Sequence, residues 1–245
     1  MSKNITKKNR SPIYLKLRDN LAEQINSGQL GAGERLSSER DMAAKLGAAR
    51  ETIREALSLL EGEGLIFRKS GSGYFVSLAR WRYDPTNHVN QYRLIHDLGS
   101  KPSNIDLKRS ATPASSSIAK LMGCVEGTQM FVLTGVGLQD ERKICFEESH
   151  LLGSAFPEFL DAEFESPLTD FLVNQYNVRV KQIGFRARST NLIGAVAKSL
   201  GVRVGTPGLF ITRIKAKDGV TIWVDYEYWL ADVLEIVIGS FPQSS

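Results

Sequence analysis

Arg50 and Arg54 stand four residues apart in the run R-E-T-I-R-E-A-L-S-L-L. On a helix this spacing puts both guanidinium groups on one face. Ile53, Ala56, Leu57 and Leu60 follow the i, i+3, i+4, i+7 pattern and make a separate, apolar face. Paired arginines at a helix start suit guanine edges in the DNA major groove, where a bidentate contact discriminates by about 1–3 kcal/mol. A second set lies far downstream. Trp223, Asp225, Glu227 and Trp229 alternate along one predicted strand and share a face, and Arg186 and Arg188 share a face of an earlier strand. Aromatic rings with carboxylates suit an ammonium group, and arginines suit an anion.

Enzyme chemistry has no comparable set. His88, His96 and His150 show no metal-ligand spacing. Glu147-x-x-His150 copies half of a di-iron pair, but it falls on a predicted strand and has no second copy. Gly71-x-Gly73 lacks the strand–turn–helix context of a dinucleotide loop. Cys124 and Cys145 make neither a disulfide framework nor a Cys-rich metal site. No catalytic residue, metal or cofactor is expected.

The first arginine pair needs a helix presented to DNA. Ser38 is a good N-cap with Asp41 three residues on, and Met42, Ala43 and Leu46 make an apolar stripe that Gly47 closes. The arginine-bearing helix then runs to Gly64, so two helices join through a glycine turn, the helix-turn-helix arrangement. Such pairs also occur in ordinary all-α proteins, so the flanks decide. Upstream, Ser11 caps a helix with Pro12 at its first position, and Tyr14, Leu17, Leu21 and Ile25 line one side. Downstream, Leu65–Lys69 and Tyr74–Val76 read as strands around the turn Ser70–Gly73, a small hairpin or wing.

The runs S-P-I-Y-L-K-L, G-E-R-L-S-S-E-R-D-M-A-A-K-L-G, R-E-T-I-R-E-A-L-S-L-L-E-G-E-G-L-I and G-S-G-Y-F-V resemble the GntR family of bacterial transcription regulators over residues 11–77. The resemblance implies a winged helix-turn-helix that binds double-stranded operator DNA as a homodimer. It carries over Arg40, Arg50, Arg54 and Gly71 as contact positions, with Ser70 beside Gly71 at the wing tip. Ala49 and Glu51 depart from the usual Ser or Thr and Thr of the family. Ala is a poor N-cap and removes a phosphate donor, and an acid near phosphates is repulsive unless it accepts from a cytosine amino group.

Charge and length fit that division. The net charge of +4 is uneven: residues 1–80 hold 14 Lys+Arg against 9 Asp+Glu, and the rest 17 against 18. A chain of 245 residues with 42% hydrophobic residues supports one or two cored domains. The polar, basic N-terminus has no apolar signal region and no run approaches a membrane span, so a cytoplasmic protein is expected. Residues 1–10 read as a mobile arm, 11–77 as the DNA-binding domain, 78–91 as a linker and 92–245 as a second domain.

That second domain alternates short strands with short helices. Strands are expected over Ile105–Thr112, Met130–Leu138, Lys143–Leu152, Val178–Ser189, Leu209–Ala216 and Val220–Trp229. Helices are expected to start at Pro113, at Ser166-Pro167 and behind Asn191. Hairpins with interspersed helices imply an α+β fold with a mostly antiparallel sheet. R-S-A-T-P-A-S-S-S-I-A-K-L-M-G, F-E-E-S-H-L, S-P-L-T-D-F-L and A-V-A-K-S-L-G-V with G-T-P-G-L-F-I-T-R resemble the UTRA effector-binding domain of the HutC-type GntR branch, a chorismate-lyase-like fold.

The resemblance implies a small-molecule effector that changes DNA affinity. In sugar-phosphate-binding relatives, arginines on the strand here occupied by Met130–Leu138 grip the phosphate; this chain has Val132 and Thr134. The expected pocket is therefore Trp223, Asp225 and Trp229 around an ammonium group, Arg186 and Arg188 on an anion, and Glu147, Ser149 and Ser166 completing the lining. Its ligand would be a zwitterionic or anionic small molecule. The competing account makes the tryptophans sheet core or dimer interface and the arginines solvated. Two other functions stay open: a chorismate-lyase-like enzyme fused to a DNA-binding module, and a ligand-independent DNA-binding protein.

Overall fold

The apolar stripe Ile53, Ala56, Leu57 and Leu60 is fully buried and organises the N-terminal part of the chain. In the computed structural model, which describes residues 12–69, 71–78, 80–87, 95, 96, 99–163 and 168–239, it belongs to helix α3 (Arg50–Gly62). Helices α1 (Ile13–Asn26) and α2 (Glu39–Leu46) pack on it through Leu17, Leu21 and Met42. Burying each large aliphatic side chain contributes roughly 1.5–3 kcal/mol. Strands β1 (Ile66–Lys69) and β2 (Gly73–Val76) pair antiparallel, Phe67 opposite Phe75, and Ile66, Tyr74 and Val76 close the same core. Arg35 bridges to Phe75. Pro12 is the N-cap of α1 rather than its first residue, and Ser11 lies outside the described residues, as do residues 1–10.

Two units divide the chain, Met1–Ala79 and Arg80–Ser245. The second is built on a six-stranded antiparallel sheet in the order β4-β5-β6-β9-β8-β7. Its strands are β4 (Pro102–Pro113), β5 (Gln129–Gln139), β6 (Arg142–Leu152), β7 (Lys181–Leu192), β8 (Thr206–Lys217) and β9 (Val220–Leu230). Helices α4 (Ser116–Met122), α5 (Leu168–Tyr176) and α6 (Gly194–Leu200) complete it.

Three expected boundaries move. Pro113 ends β4 instead of opening a helix; Ser115 caps α4 by accepting the Ile118 N–H at 3.4 Å. Asn191 lies in β7, and Ile193 is the N-cap of α6. The segment 78–91 is not a plain linker. Strands β3 (Trp81–Tyr83) and β10 (Leu234–Ile236) pair in parallel, Trp81 opposite Leu234. Trp81 and Tyr83 are 1% exposed in the core of the second unit. Three residues are too few to show a period, and the partner strand lies some 150 positions on, at residues 234–236, so local reading cannot find this pairing.

Strand parity defines two faces of the large sheet. One carries Cys145, Glu147, Ser149 and Leu151 of β6 opposite Trp229, Glu227, Asp225 and Trp223 of β9. Its ends are apolar. Trp229 meets Trp81 edge-on at 5.6 Å, and Trp223 and Leu151 pack with Phe156, Phe159 and Phe171. The other face carries Met130 and Val224 under α4, with Phe146, Tyr226, Tyr228 and Phe210 beside them. No helix among the described residues is long and apolar enough to cross a membrane.

Candidate DNA interface and ligand site

In the first unit the cap of α2 is built as its sequence requires. Ser38 Oγ accepts the Asp41 N–H at 3.2 Å and donates to Asp41 Oδ2 at 2.7 Å, which holds the Asp41 carboxyl below its ordinary range. Gly47 ends the helix in the left-handed region at φ 57°. Ala49 is the N-cap of α3 and makes no side-chain cap bond, so the first N–H groups of α3 are open at that end.

Arg40, Arg50 and Arg54 are exposed at the starts of α2 and α3. Arg50 has no ion pair among the described residues. Arg40 keeps 77% of its side chain exposed and lies 3.7 Å from Asp41. Arg54 is tied down: its Nε donates to Glu39 Oε2 at 2.8 Å and its Nη1 to Glu51 Oε2 at 3.5 Å, and Glu39 above all raises its pKa. Gly71 takes φ 74° at the turn between β1 and β2, a conformation that costs glycine little. Ser70 lies outside the described residues.

In the second unit, the middle of the Glu147 face is a polar band between the two apolar ends. Ser149 Oγ donates to Asp225 Oδ1 at 2.5 Å, and Trp223 Nε1 donates to the same oxygen. Lys215 Nζ lies 2.7 Å from Asp225 Oδ2 and 3.4 Å from the centre of the Trp223 ring. Arg213 Nε donates to Glu227 Oε1 at 2.6 Å and Nη2 to Oε2 at 3.1 Å; Nη1 donates to the Tyr83 hydroxyl. Trp229 Nε1 donates to Glu227 Oε2 at 2.8 Å. Burial opposes the charge on Arg213, but Glu227, Tyr83 and Asp225 outweigh it and raise its pKa.

Glu147 sits directly across from Glu227 and makes no hydrogen bond among the described residues. Burial, then Glu227 and Asp225, push its carboxyl up to about 8, with Arg213 and Lys215 offsetting only part. Like charges opposite each other in a sheet are destabilising, so this acid is held protonated at neutral pH.

The expected pocket is therefore only partly assembled. Glu147, Ser149, Trp223, Asp225 and Trp229 share the face. Arg186 and Arg188 do not: they pair with Thr212 and Phe210 on the opposite face, and Arg188 stacks 4.7 Å from the Phe210 ring centre. Parity within one strand puts Arg186 and Arg188 together but does not say on which side of the sheet. Which parity joins which requires the registers of β7 with β8 and of β8 with β9. The cations on the Glu147 face are Arg213 and Lys215, which alternate with period two in I-T-R-I-K.

Val132 and Thr134 are likewise on the other face, opposite His150 and Glu148. The β5 positions facing Glu147 are Leu133, Gly135 and Gly137, none of them basic. Both tryptophans are core, 1–2% exposed, with their indole N–H groups spent on carboxylates. Ser166 lies outside the described residues. Glu147 and His150 point to opposite faces, and His150 pairs with Glu148 at 2.6 Å. Among the described residues no three His, Cys, Asp or Glu side chains are grouped to hold a metal ion, and both cysteines are free.

Comparison with known proteins agrees with this division. Residues 13–76 match the model of the gntR family of bacterial regulatory proteins, and residues 97–235 match the UTRA domain. The HTH-type transcriptional regulator YihL of Escherichia coli K12 is 27% identical over 225 residues, 90% of this chain and 94% of that protein. The HTH-type transcriptional repressor NagR of Bacillus subtilis is 27% identical over 210 residues, 86% of each. Among solved structures, PhnF from Mycobacterium smegmatis aligns with a TM-score of 0.61 at 19% identity over 92% of this chain and 99% of that one. YydK from Bacillus subtilis aligns at 0.53 and 19% identity, covering 93% and 99%. The relatives are named as transcriptional regulators, not enzymes.

Proposed function

The chain belongs to the gntR family of bacterial regulatory proteins and is a transcriptional regulator with a UTRA effector domain; from that premise we propose that it is a cytoplasmic HutC-type repressor, a homodimer reading a pseudo-palindromic operator. Two-fold proteins match two-fold sites because each recognition helix enters one major-groove half-site. Arg50 reads the base edge; Arg54, Arg40, Ser70 and Gly71 position the wing and helix on the backbone or minor groove. The observation that carries this reading is Arg50, exposed and unpaired at the open N-terminal end of α3. An anion is favoured at that end by the free N–H groups and the helix dipole.

The effector binds in the polar band around Glu147 and changes the relative stability of two arrangements of the dimer. It can do so only through unequal affinity for the two. The word repressor belongs to NagR and is extended here to this chain. Selection of duplexes from a random library, followed by anisotropy titration, tests the proposal. Arg50→Ala should weaken the selected duplex by about 1–3 kcal/mol and random duplex far less. Equal losses on both duplexes, or no two-fold pattern among the selected sites, would refute it.

A further inference from the structure

The polar band has one more carboxylate than it has cations. Asp225 and Glu227 are matched by Lys215 and Arg213, each pair in direct contact. Glu147 is the remainder. Beside it the sheet is bare: Gly137 interrupts β5 with no side chain, and a Cβ there would lie 3.7 Å from both Glu147 Oε1 and Asn104 Oδ1. Asn104 faces Gly137 across the β4–β5 pair, and its Oδ1 is buried with no hydrogen-bond partner. An orphaned buried acceptor is destabilising. Glycine inside a strand often marks a place where something else approaches the backbone closely. Leu107, carried over β5 by the bulge at Asp106, roofs the neighbouring Gly135, where a Cβ would lie 2.6 Å from its Cδ2.

Resting on the reading of this unit as an effector domain, we propose that a primary ammonium group binds over Gly137, with Glu147 as its counter-ion and Asn104 Oδ1 as its acceptor. The ammonium supplies what each neighbour lacks: a positive charge for the unmatched carboxylate and an N–H donor for the orphaned oxygen. A metal ion fits less well, because two oxygens are too few ligands. The other titratable groups facing Glu147 are Glu227 and Asp225 of β9, Arg213 and Lys215 of β8 and the Cys145 thiol, which burial keeps neutral.

Binding is an exchange. The carboxylic acid of Glu147 gives its proton to solvent, the carboxylate takes the ammonium, and the charge of the band is unchanged. Effector affinity in this protein is therefore linked to pH through Glu147. Below its titration near 8 each pH unit upward should strengthen binding about tenfold, since one proton leaves per ligand bound.

Calorimetry on the full chain tests this, with ethanolamine as the probe and ethylene glycol as its uncharged counterpart. Titrations at pH 6 and pH 7 in phosphate and in MOPS separate the heat of proton release from the heat of binding. Expected are close to one proton released per ethanolamine, about tenfold tighter binding at pH 7 than at pH 6, and no binding of ethylene glycol. Glu147→Gln should lose at least tenfold in affinity and all proton release; Glu147→Asp should recover part of both. No ethanolamine binding, binding without proton release, or unchanged binding in Glu147→Gln would overturn the proposal. Duplex binding is measured on the same preparations. If it is intact while ethanolamine fails, only the amine assignment falls; if it is absent, the regulator reading falls independently.

Discussion

Glu147→Gln gives a sharp test of the electrostatics of the band through stability alone. The Glu147 carboxyl titrates near 8 in the folded chain against an ordinary value of 4.5. Below pH 4.5 the group is protonated in both folded and unfolded chains, and its ionisation costs nothing. Between 4.5 and 8 the unfolded chain releases the proton and the folded chain keeps it, so stability falls as pH rises. Above 8 the cost is complete. That interval corresponds to at most about 5 kcal/mol; the partial exposure of Glu147 screens it to roughly 2–4 kcal/mol. Gln keeps the shape and removes the ionisation, so the variant should gain on wild type progressively with pH. Trp81, Trp223 and Trp229 are the only tryptophans and all sit in the cores of the second unit. Their emission during urea unfolding therefore reports this unit. With a slope of about 2 kcal/mol/M, the midpoint gap between variant and wild type should widen by about 1–2 M from pH 5 to pH 8.5. A gap that is the same at both pH values would refute the unmatched-carboxylate account.

The remaining expectations use other parts of the molecule. Gly137→Ala places a Cβ at ordinary distances of 3.7–3.8 Å from its neighbours. Urea unfolding should show it as stable as wild type or about 0.4–1 kcal/mol more so, while ethanolamine affinity drops at least tenfold. Gly208→Ala, whose Cβ would lie 2.7 Å from the Trp229 carbonyl oxygen, should lower the melting temperature clearly. Glu39→Gln removes the main ion pair of Arg54 and an acid beside the proposed DNA contacts, so anisotropy should show tighter binding to random duplex at low salt and a gain that fades as salt rises. A fragment of residues 80–245 should melt cooperatively near the second unit's own transition. One beginning at residue 92 loses Trp81 and Tyr83, both fully buried, at about 3–5 kcal/mol for each large aromatic, and should not.

The local order of the winged helix was legible in the sequence because every signal there is short-ranged. Ser38 bonds Asp41 three residues away, Gly47 stops the helix it follows, and the stripe Ile53–Leu60 lies within two turns. The same holds for the strand alternation of Glu147–Ser149 and of Trp223–Trp229, which put the right residues of each strand on one side. What one strand's parity cannot state is its relation to the next. The sheet order β4-β5-β6-β9-β8-β7 places β8 between β7 and β9. The side on which Arg186 and Arg188 emerge is thus fixed by successive registers, and it is the side away from Glu147. Trp81 and Tyr83 were equally hidden, since a three-residue strand acquires its meaning only from a partner at residues 234–236. The unmatched carboxyl of Glu147 and the side-chain-free position at Gly137 acquire their meaning only once β4, β5, β6, β8 and β9 lie side by side. Charge balance and space are properties of neighbours in three dimensions, and no single stretch of the chain contains them.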